Sequence, residues 1–173
     1  VESADGNTIQ ACAVIQRSIQ EVFGYYREFG NLPNFLGDVI AVQQINPATS
    51  RWTIQGPFGI RAHWIVKVTV QRTNELIRYE TVSSPRLKTY WEIHFTPGPD
   101  TRETEVREVM KSPLGRIGRA GLALIGKFPD KEVCANLHRL KELLETGAVT
   151  DTSYAVAGKF PQHPSATRNR CSP

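Results

Sequence analysis

The 173-residue sequence has no apolar run approaching the ~18 residues of a membrane-spanning helix, and no signal peptide is visible in it. It begins at Val1 rather than Met, which leaves a removed leader or a preceding membrane segment open. Cysteines are few: Cys12, Cys134 and Cys171 are far apart and odd in number. That argues against a disulfide framework and fits a reducing compartment, so a cytoplasmic location is expected. The 21 Lys and Arg against 17 Asp and Glu leave a net charge of +4, but no element concentrates it. Arg51, Arg61, Arg72, Arg78, Arg102, Arg116 and Arg139 are scattered, whereas nucleic-acid binders gather their cations on one element. No nucleic-acid partner is expected; contact at the periphery of an anionic membrane is compatible with the charge. There is no internal repeat, no coiled-coil heptad, no G-x-S-x-G elbow and no Cys/His pair placed for nucleophilic attack.

The composition that is present, 40% hydrophobic and 22% charged, is ordinary for a globular chain. A single domain of this length buries roughly 70% of its unfolded surface, enough for a core and an internal cavity. Ile9 to Gln16 is short and apolar and reads as a first strand. Ser18 and Glu21 form a capping-box signature, and Ile19, Val22, Phe23 and Tyr26 follow at helical spacing, with Gly30 as the expected stop. Residues 31–36 read as one more helical turn ended by Gly37.

From Asp38 to Lys111 the period changes to two. Trp52 and Ile54 alternate with Arg51 and Thr53; Trp64, Val66 and Val68 alternate with Lys67 and Thr69. Ile77 and Tyr79 alternate with Arg78 and Glu80; Trp91, Ile93 and Phe95 alternate with Glu92 and His94. Such alternation marks antiparallel strands with one covered face. Turn signals separate them at Asn46-Pro47, Gly56-Pro57, Thr73-Asn74, Ser84-Pro85 and Pro97 to Asp100. Six strands follow the first helices, making seven in all.

After Pro113 the period returns to 3.6. Leu114 to Phe128 reads as a Gly-rich helical section, and Asp130 is placed to cap a second one. That section carries Val133, Leu137, Leu140 and Leu144 on one stripe, ended by Gly147, and a polar face with Lys131, Glu132, Arg139, Lys141 and Glu145. A lone helical stripe and a one-sided sheet must cover each other. The expected fold is therefore α+β: a helix-grip fold in which a seven-stranded curved antiparallel sheet wraps a long C-terminal helix. Residues 1–147 form the domain, and 148–173 an extended tail whose last ten residues are disordered.

This order of elements resembles the START/Bet v1-like (SRPBCC) superfamily, and within it the polyketide cyclase/dehydrase and coenzyme Q-binding branch. The resemblance rests on Ile15 to Phe23, Glu28 to Leu36, Arg51-Trp52 with Gly56-Pro57, Thr104-Glu105-Val106 and Leu137 to Gly147, and covers about residues 8–150. It implies a cavity between sheet and C-terminal helix for a hydrophobic small molecule: a lipid, a quinone or a polyketide-like compound. It implies no cofactor, and its members vary their ligand freely.

The expected cavity lining takes Trp52 and Ile54 from one strand, Trp64, Val66 and Val68 from the next, and Tyr79 from the third. Trp91, Ile93 and Phe95 follow, then Val106, Glu108 and Met110 on the last strand, with Leu122 and Ile125 from the Gly-rich section. Each ring alone is core material; together they suit a flat apolar ligand. Thr104 and Val106 match inward-looking positions of the family, which turns Glu108 inward too. A buried carboxyl then has a raised pKa, and can bind a ligand hydroxyl or serve as a general acid/base, with a Tyr or His nearby, in a cyclisation or dehydration. The alternatives are a bulge that rotates Glu108 out or an arginine that pairs with it.

Gly115, Gly118 and Gly121 lack the dinucleotide-binding spacing and instead suit a loosely held lid. Arg116, Arg119 and Lys127 beside Leu122, Leu124, Ile125 and Phe128 could touch an anionic membrane. Cys134, His138 and Glu142 share one helix face at i, i+4 and i+8, but no further residue is arranged to complete a metal site, and none is expected. The readings left standing are a carrier, an enzyme using Glu108, and an interaction module with a collapsed cavity.

Overall fold

The computed structural model describes residues 8–82, 88–112 and 128–161. Seven strands build one antiparallel sheet: β1 Thr8–Ile15, β2 Val39–Asn46, β3 Thr49–Gln55, β4 Arg61–Arg72, β5 Leu76–Thr81, β6 Tyr90–Pro97 and β7 Thr104–Lys111. Their order across the sheet is β1-β7-β6-β5-β4-β3-β2. Strands β2 to β7 are neighbours in both sequence and space, and β1 closes the far edge by pairing with β7. Register shifts interrupt β2–β3 after Val39 and Gln44, and β4–β5 after Val68. Such bulges add twist and bend a sheet, which makes one face concave.

That face carries the alternating residues expected of it. Ile9 and Ala11, Trp52 and Ile54, Ile77 and Tyr79, Trp91, Ile93 and Phe95, and Thr104, Val106 and Glu108 are all buried. Helix α1, Ile19–Arg27, begins in a complete capping box. The Glu21 N–H donates to the Ser18 hydroxyl, and the Ser18 N–H donates to the Glu21 carboxylate at 3.1 Å. Its Val22, Phe23 and Tyr26 point into the core.

Gly30 does not end α1. The helix stops at Arg27, where Glu28 takes extended backbone, and Gly30 lies inside a 3-10 helix, Phe29–Asn34. The turn falls one residue before Phe29, and Phe29 is thereby brought into the core.

Helix α2, Pro129–Thr146, packs against β1 and its neighbour β7 through Val133, Leu137 and Leu140. Asp130 is not its cap. Phe128 holds that position without a side-chain hydrogen bond, and Pro129 occupies the first turn, where its missing N–H has no partner to lose. Asp130 and Glu132 lie in the first turn beside the positive end of the helix dipole. Gly147 closes the helix in the left-handed conformation (φ +81°), its N–H donating to the Leu143 carbonyl at 2.8 Å.

Arg139, read from sequence as part of the polar face, is 0% exposed. The reason lies in residues 148–161, which carry no helix or strand yet fold back over α2. Arg139 Nε donates to the Phe35 carbonyl and one terminal nitrogen to the Ser153 carbonyl, each at 2.7 Å; the other terminal nitrogen donates to Asn136 Oδ1. Its guanidinium lies 5.2 Å from the centre of the Phe160 ring. The Val156 N–H donates to the Gly37 carbonyl at 3.0 Å, and Lys159 Nζ donates to the carbonyls of Leu36 and Val39. Val149 and Phe160 are buried. The segment is a strap from the end of α2 to the start of β2.

Two members of the Cys134, His138 and Glu142 stripe, His138 and Glu142, also serve this strap. His138 pairs with Asp151 at 3.3 Å, and Glu142 accepts from the backbone N–H groups of Thr150 (2.7 Å) and Asp151 (3.2 Å). Among the described residues no cluster of three His, Cys, Asp or Glu is placed to hold a metal. Cys12 is free and exposed, whereas Cys134 is disulfide-bonded. The cysteine count therefore gives no argument for a reducing compartment. The lid expected at Leu114 to Phe128 lies outside the described residues except for Phe128 itself, as do its Leu122 and Ile125, the Ser84-Pro85 turn and the last ten residues. No helix among the described residues is long and apolar enough to cross a membrane.

Candidate ligand-binding site

The rings of the concave face form a connected series. Tyr79 stacks on Trp91 with centroids 5.1 Å apart and planes 16° apart. Trp64 lies 6.4 Å from Trp91 on one side, and Trp52 lies 5.6 Å from Tyr79 on the other. Phe29 closes edge-on against both Trp52 (5.6 Å) and Tyr79 (5.3 Å). Cross-strand pairing sets this series, because Trp52 faces Trp64 across β3–β4, and Tyr79 faces Trp91 across β5–β6. Phe95 stands apart from it, packed edge-on with Phe23 and Tyr26 of α1. Trp64, Val68 and Met110 point the same way as the buried residues but are only half-buried, so the concave face is incompletely covered there.

Glu108 sits among apolar neighbours, paired in register with Ala11 on β1 and Ile93 on β6. It is 3% exposed. Register on both sides of it is unbroken, so no bulge rotates it outward, and among the described residues no arginine pairs with it. Among the described residues its Oε2 has no hydrogen-bond partner. Burial first, and then the negative charge of Asp38, push its pKa up to about 8. At neutral pH the carboxyl is mostly protonated and presents an O–H donor in a dry setting. The Tyr26 and Tyr79 hydroxyls meet at 3.3 Å, both driven well above the ordinary tyrosine value, by burial first. One hydroxyl can donate to the other, which leaves the second O–H for another acceptor. The arrangement is an aromatic wall with two neutral donors, suited to orienting an apolar molecule that carries an oxygen acceptor.

The structure thus brings Trp52, Trp64, Tyr79, Trp91 and Glu108 to one face, with Ile54, Val66, Ile93 and Val106 buried beneath and beside them. It adds Tyr26, Phe29 and Asp38, which the strand pattern did not mark. Tyr26 was legible as a buried position of α1 but not as the partner of Tyr79. His63 and His94 lie on the other face, His63 beside Thr53 Oγ1 (3.3 Å) and His94 beside Glu92 (3.2 Å).

A curved antiparallel sheet with a C-terminal helix against it and rings on its concave face defines the helix-grip class of START-like proteins. The family described as polyketide cyclase / dehydrase and lipid transport matches residues 8–145, and the chain belongs to it. No curated protein matches the chain. Among solved structures, protein DR_A0006 from Deinococcus radiodurans is similar, with a TM-score of 0.63 and 21% identity over 81% of this chain and 98% of that one. A START superfamily protein from Mycobacterium smegmatis gives 0.61 and 13%, over 79% and 99%. The di-domain ARO/CYC protein BexL from the BE-7585A biosynthetic pathway gives 0.63 and 17%, over 80% of this chain and 46% of that one. At these identities the likeness is one of fold.

Proposed function

We propose that the protein is a carrier that binds a hydrophobic, ring-bearing small molecule against the concave face of the sheet. The observation that carries this reading is the unpartnered Oε2 of Glu108, buried beside the wall of Trp52, Tyr79 and Trp91. An orphaned polar atom in a native core calls for an explanation, and a ligand acceptor supplies one. A lipid, a quinone such as coenzyme Q, or a polyketide-like molecule has the required chemistry: an extended apolar body with an oxygen at one end. The family description, which joins polyketide cyclisation to lipid transport, supports the same choice. Solvent extraction of the purified protein followed by mass spectrometry tests it. Recovery of a stoichiometric apolar compound is expected. A protein that carries nothing and takes up none of the three classes in titration has a collapsed cavity and acts through its surface.

A second reading, an enzyme of the cyclase or dehydratase type, draws on the Glu108 pKa of about 8. A carboxyl that exchanges its proton near neutrality can act as general acid and then as base. Loss of turnover in Glu108→Gln with ligand binding retained would favour it over the carrier.

A further inference from the structure

The hairpin from β3 to β4 turns at Pro57–Gly59 and is closed by the Gly56 N–H donating to the Ile60 carbonyl at 2.8 Å. Phe58, at its tip, takes the left-handed conformation (φ +58°), uncommon for a bulky residue, and is 96% exposed; Ile60 is 67% exposed. In a covered strand Arg61, Ala62 and His63 would alternate between core and solvent. All three are exposed, so the tip projects beyond the core.

Charge behind the tip is of one sign. Between Asp38 and Glu75 the sequence contains no acidic residue. Arg51, Arg61 and Lys67 are exposed, and among the described residues none of them is in an ion pair. Register places Arg61 opposite Gln55, His63 opposite Thr53 and Arg51 opposite Ile65. Since Trp52 and Ile54 face inward, this row runs along the convex face and ends at the tip.

We propose that the β3–β4 hairpin docks the protein on an anionic lipid bilayer, with Phe58 and Ile60 entering the acyl boundary and Arg61 meeting lipid phosphates. Shape and charge together select this partner. A stable protein interface takes about 800 Å² from each side, far more than a three-residue tip offers. A bilayer accepts a point insertion, and the unpaired cations set behind the apolar tip match an anionic headgroup layer. The site is separate from the concave face, and the inference stands without the carrier reading.

Co-sedimentation with phosphatidylcholine vesicles, with and without phosphatidylglycerol, tests it. Binding should require phosphatidylglycerol and weaken as salt is raised. Phe58→Asp should reduce partitioning about tenfold or more, given the apolar area that it withholds. Arg61→Gln should weaken binding and flatten its salt dependence. Phe58→Trp should retain binding and add a blue-shifted emission on vesicles. These side chains are in solvent, so the variants should keep the wild-type circular dichroism. Equal binding to both vesicle types, no binding to either, or unaltered binding by a folded Phe58→Asp variant each overturns the proposal. Self-association of the wild type that Phe58→Asp abolishes would also overturn it, assigning the tip to a second copy of the chain.

Discussion

Arg139 Nε and the backbone carbonyl of Phe35 are joined by a 2.7 Å hydrogen bond that spans 104 positions of sequence. The same guanidinium holds the Ser153 carbonyl, so one side chain on α2 ties the 3-10 helix region to the strap. Arg139→Met should lower unfolding free energy by about 2–5 kcal/mol, since the apolar replacement leaves the buried Phe35 carbonyl and the part-buried Ser153 carbonyl without this donor. Arg139→Lys should recover only part of this, because a single ammonium cannot reproduce the planar fork. Urea unfolding of the three proteins gives the comparison.

The Glu108 carboxyl makes stability depend on pH in a defined window. Its folded pKa is raised from 4.5 to about 8. Below pH 4.5 it is protonated in both states. Between 4.5 and about 8 the unfolded chain releases the proton while the folded one retains it, so its contribution to stability falls as pH rises and levels off above 8. Glu108→Gln should abolish this component, giving a flatter profile and a relative gain at pH 8. Unfolding midpoints from pH 5 to 8 would measure it; an unchanged slope would mean that the carboxyl is solvated.

Docking of the strap should respond to pH through His138 and Asp151. Hydrogen bonding to Asp151 raises the His138 pKa, and that of Asp151 is lowered to about 2 despite its burial, the hydrogen bond from His138 being the leading favourable cause. The histidine contribution is complete below pH 6.5 and lost as pH rises through its folded pKa. The aspartate contribution is present above 3.8 and lost as pH falls towards 2. Cleavage within 148–161 in limited proteolysis should therefore be slower at pH 6 than at pH 8. Asp151→Asn should remove that difference.

Gly37 offers a steric handle on the same segment. A Cβ there would lie 2.8 Å from both an Arg139 terminal nitrogen and the Tyr154 carbonyl, closer than real contacts allow. Gly37→Ala should displace the strap and speed proteolysis of 148–161. The sheet, which meets this site only at the start of β2, should keep its protected amides in hydrogen exchange.

All three tryptophans of the chain, Trp52, Trp64 and Trp91, belong to the ring series, so selectively excited tryptophan fluorescence reports on the candidate site alone. Trp64 is half-buried, whereas the other two are buried. Trp64→Phe should remove most acrylamide quenching, and a ligand on the concave face should protect Trp64 in the wild type. Quenching unaltered by a saturating ligand would place the ligand elsewhere.

The strands were legible because a sheet covered on one side imposes a period of two, and the same alternation along β7 set the direction of Glu108. Its want of a partner was not legible, since that depends on which side chains arrive from β1 and β6. Arg139 misled for a related reason. On a helix with an apolar stripe an arginine off the stripe reads as solvated, and what buries it is a segment without periodicity. Tyr26 and Phe29 join the wall from helical elements, where spacing marks burial but not the partner across the core. Gly30 looked like a stop, yet the chain turns at Glu28.

The placement of β1 imposes an order in time. β1 and β2 are adjacent in sequence but lie at opposite edges of the sheet, and β1 pairs only with β7, Thr8 with Lys111 and Ile15 with Thr104. During synthesis β1 emerges first and finds its partner last, after the whole β2–β7 meander has left the ribosome. α2, which lies against β1, arrives later still. Contacts this distant in sequence make folding slow. Until β7 emerges, Ile9, Ala11 and Ile15 of β1 have no strand to pair with, and the nascent chain exposes them as a surface for chaperones to shield and for neighbouring nascent chains to misuse.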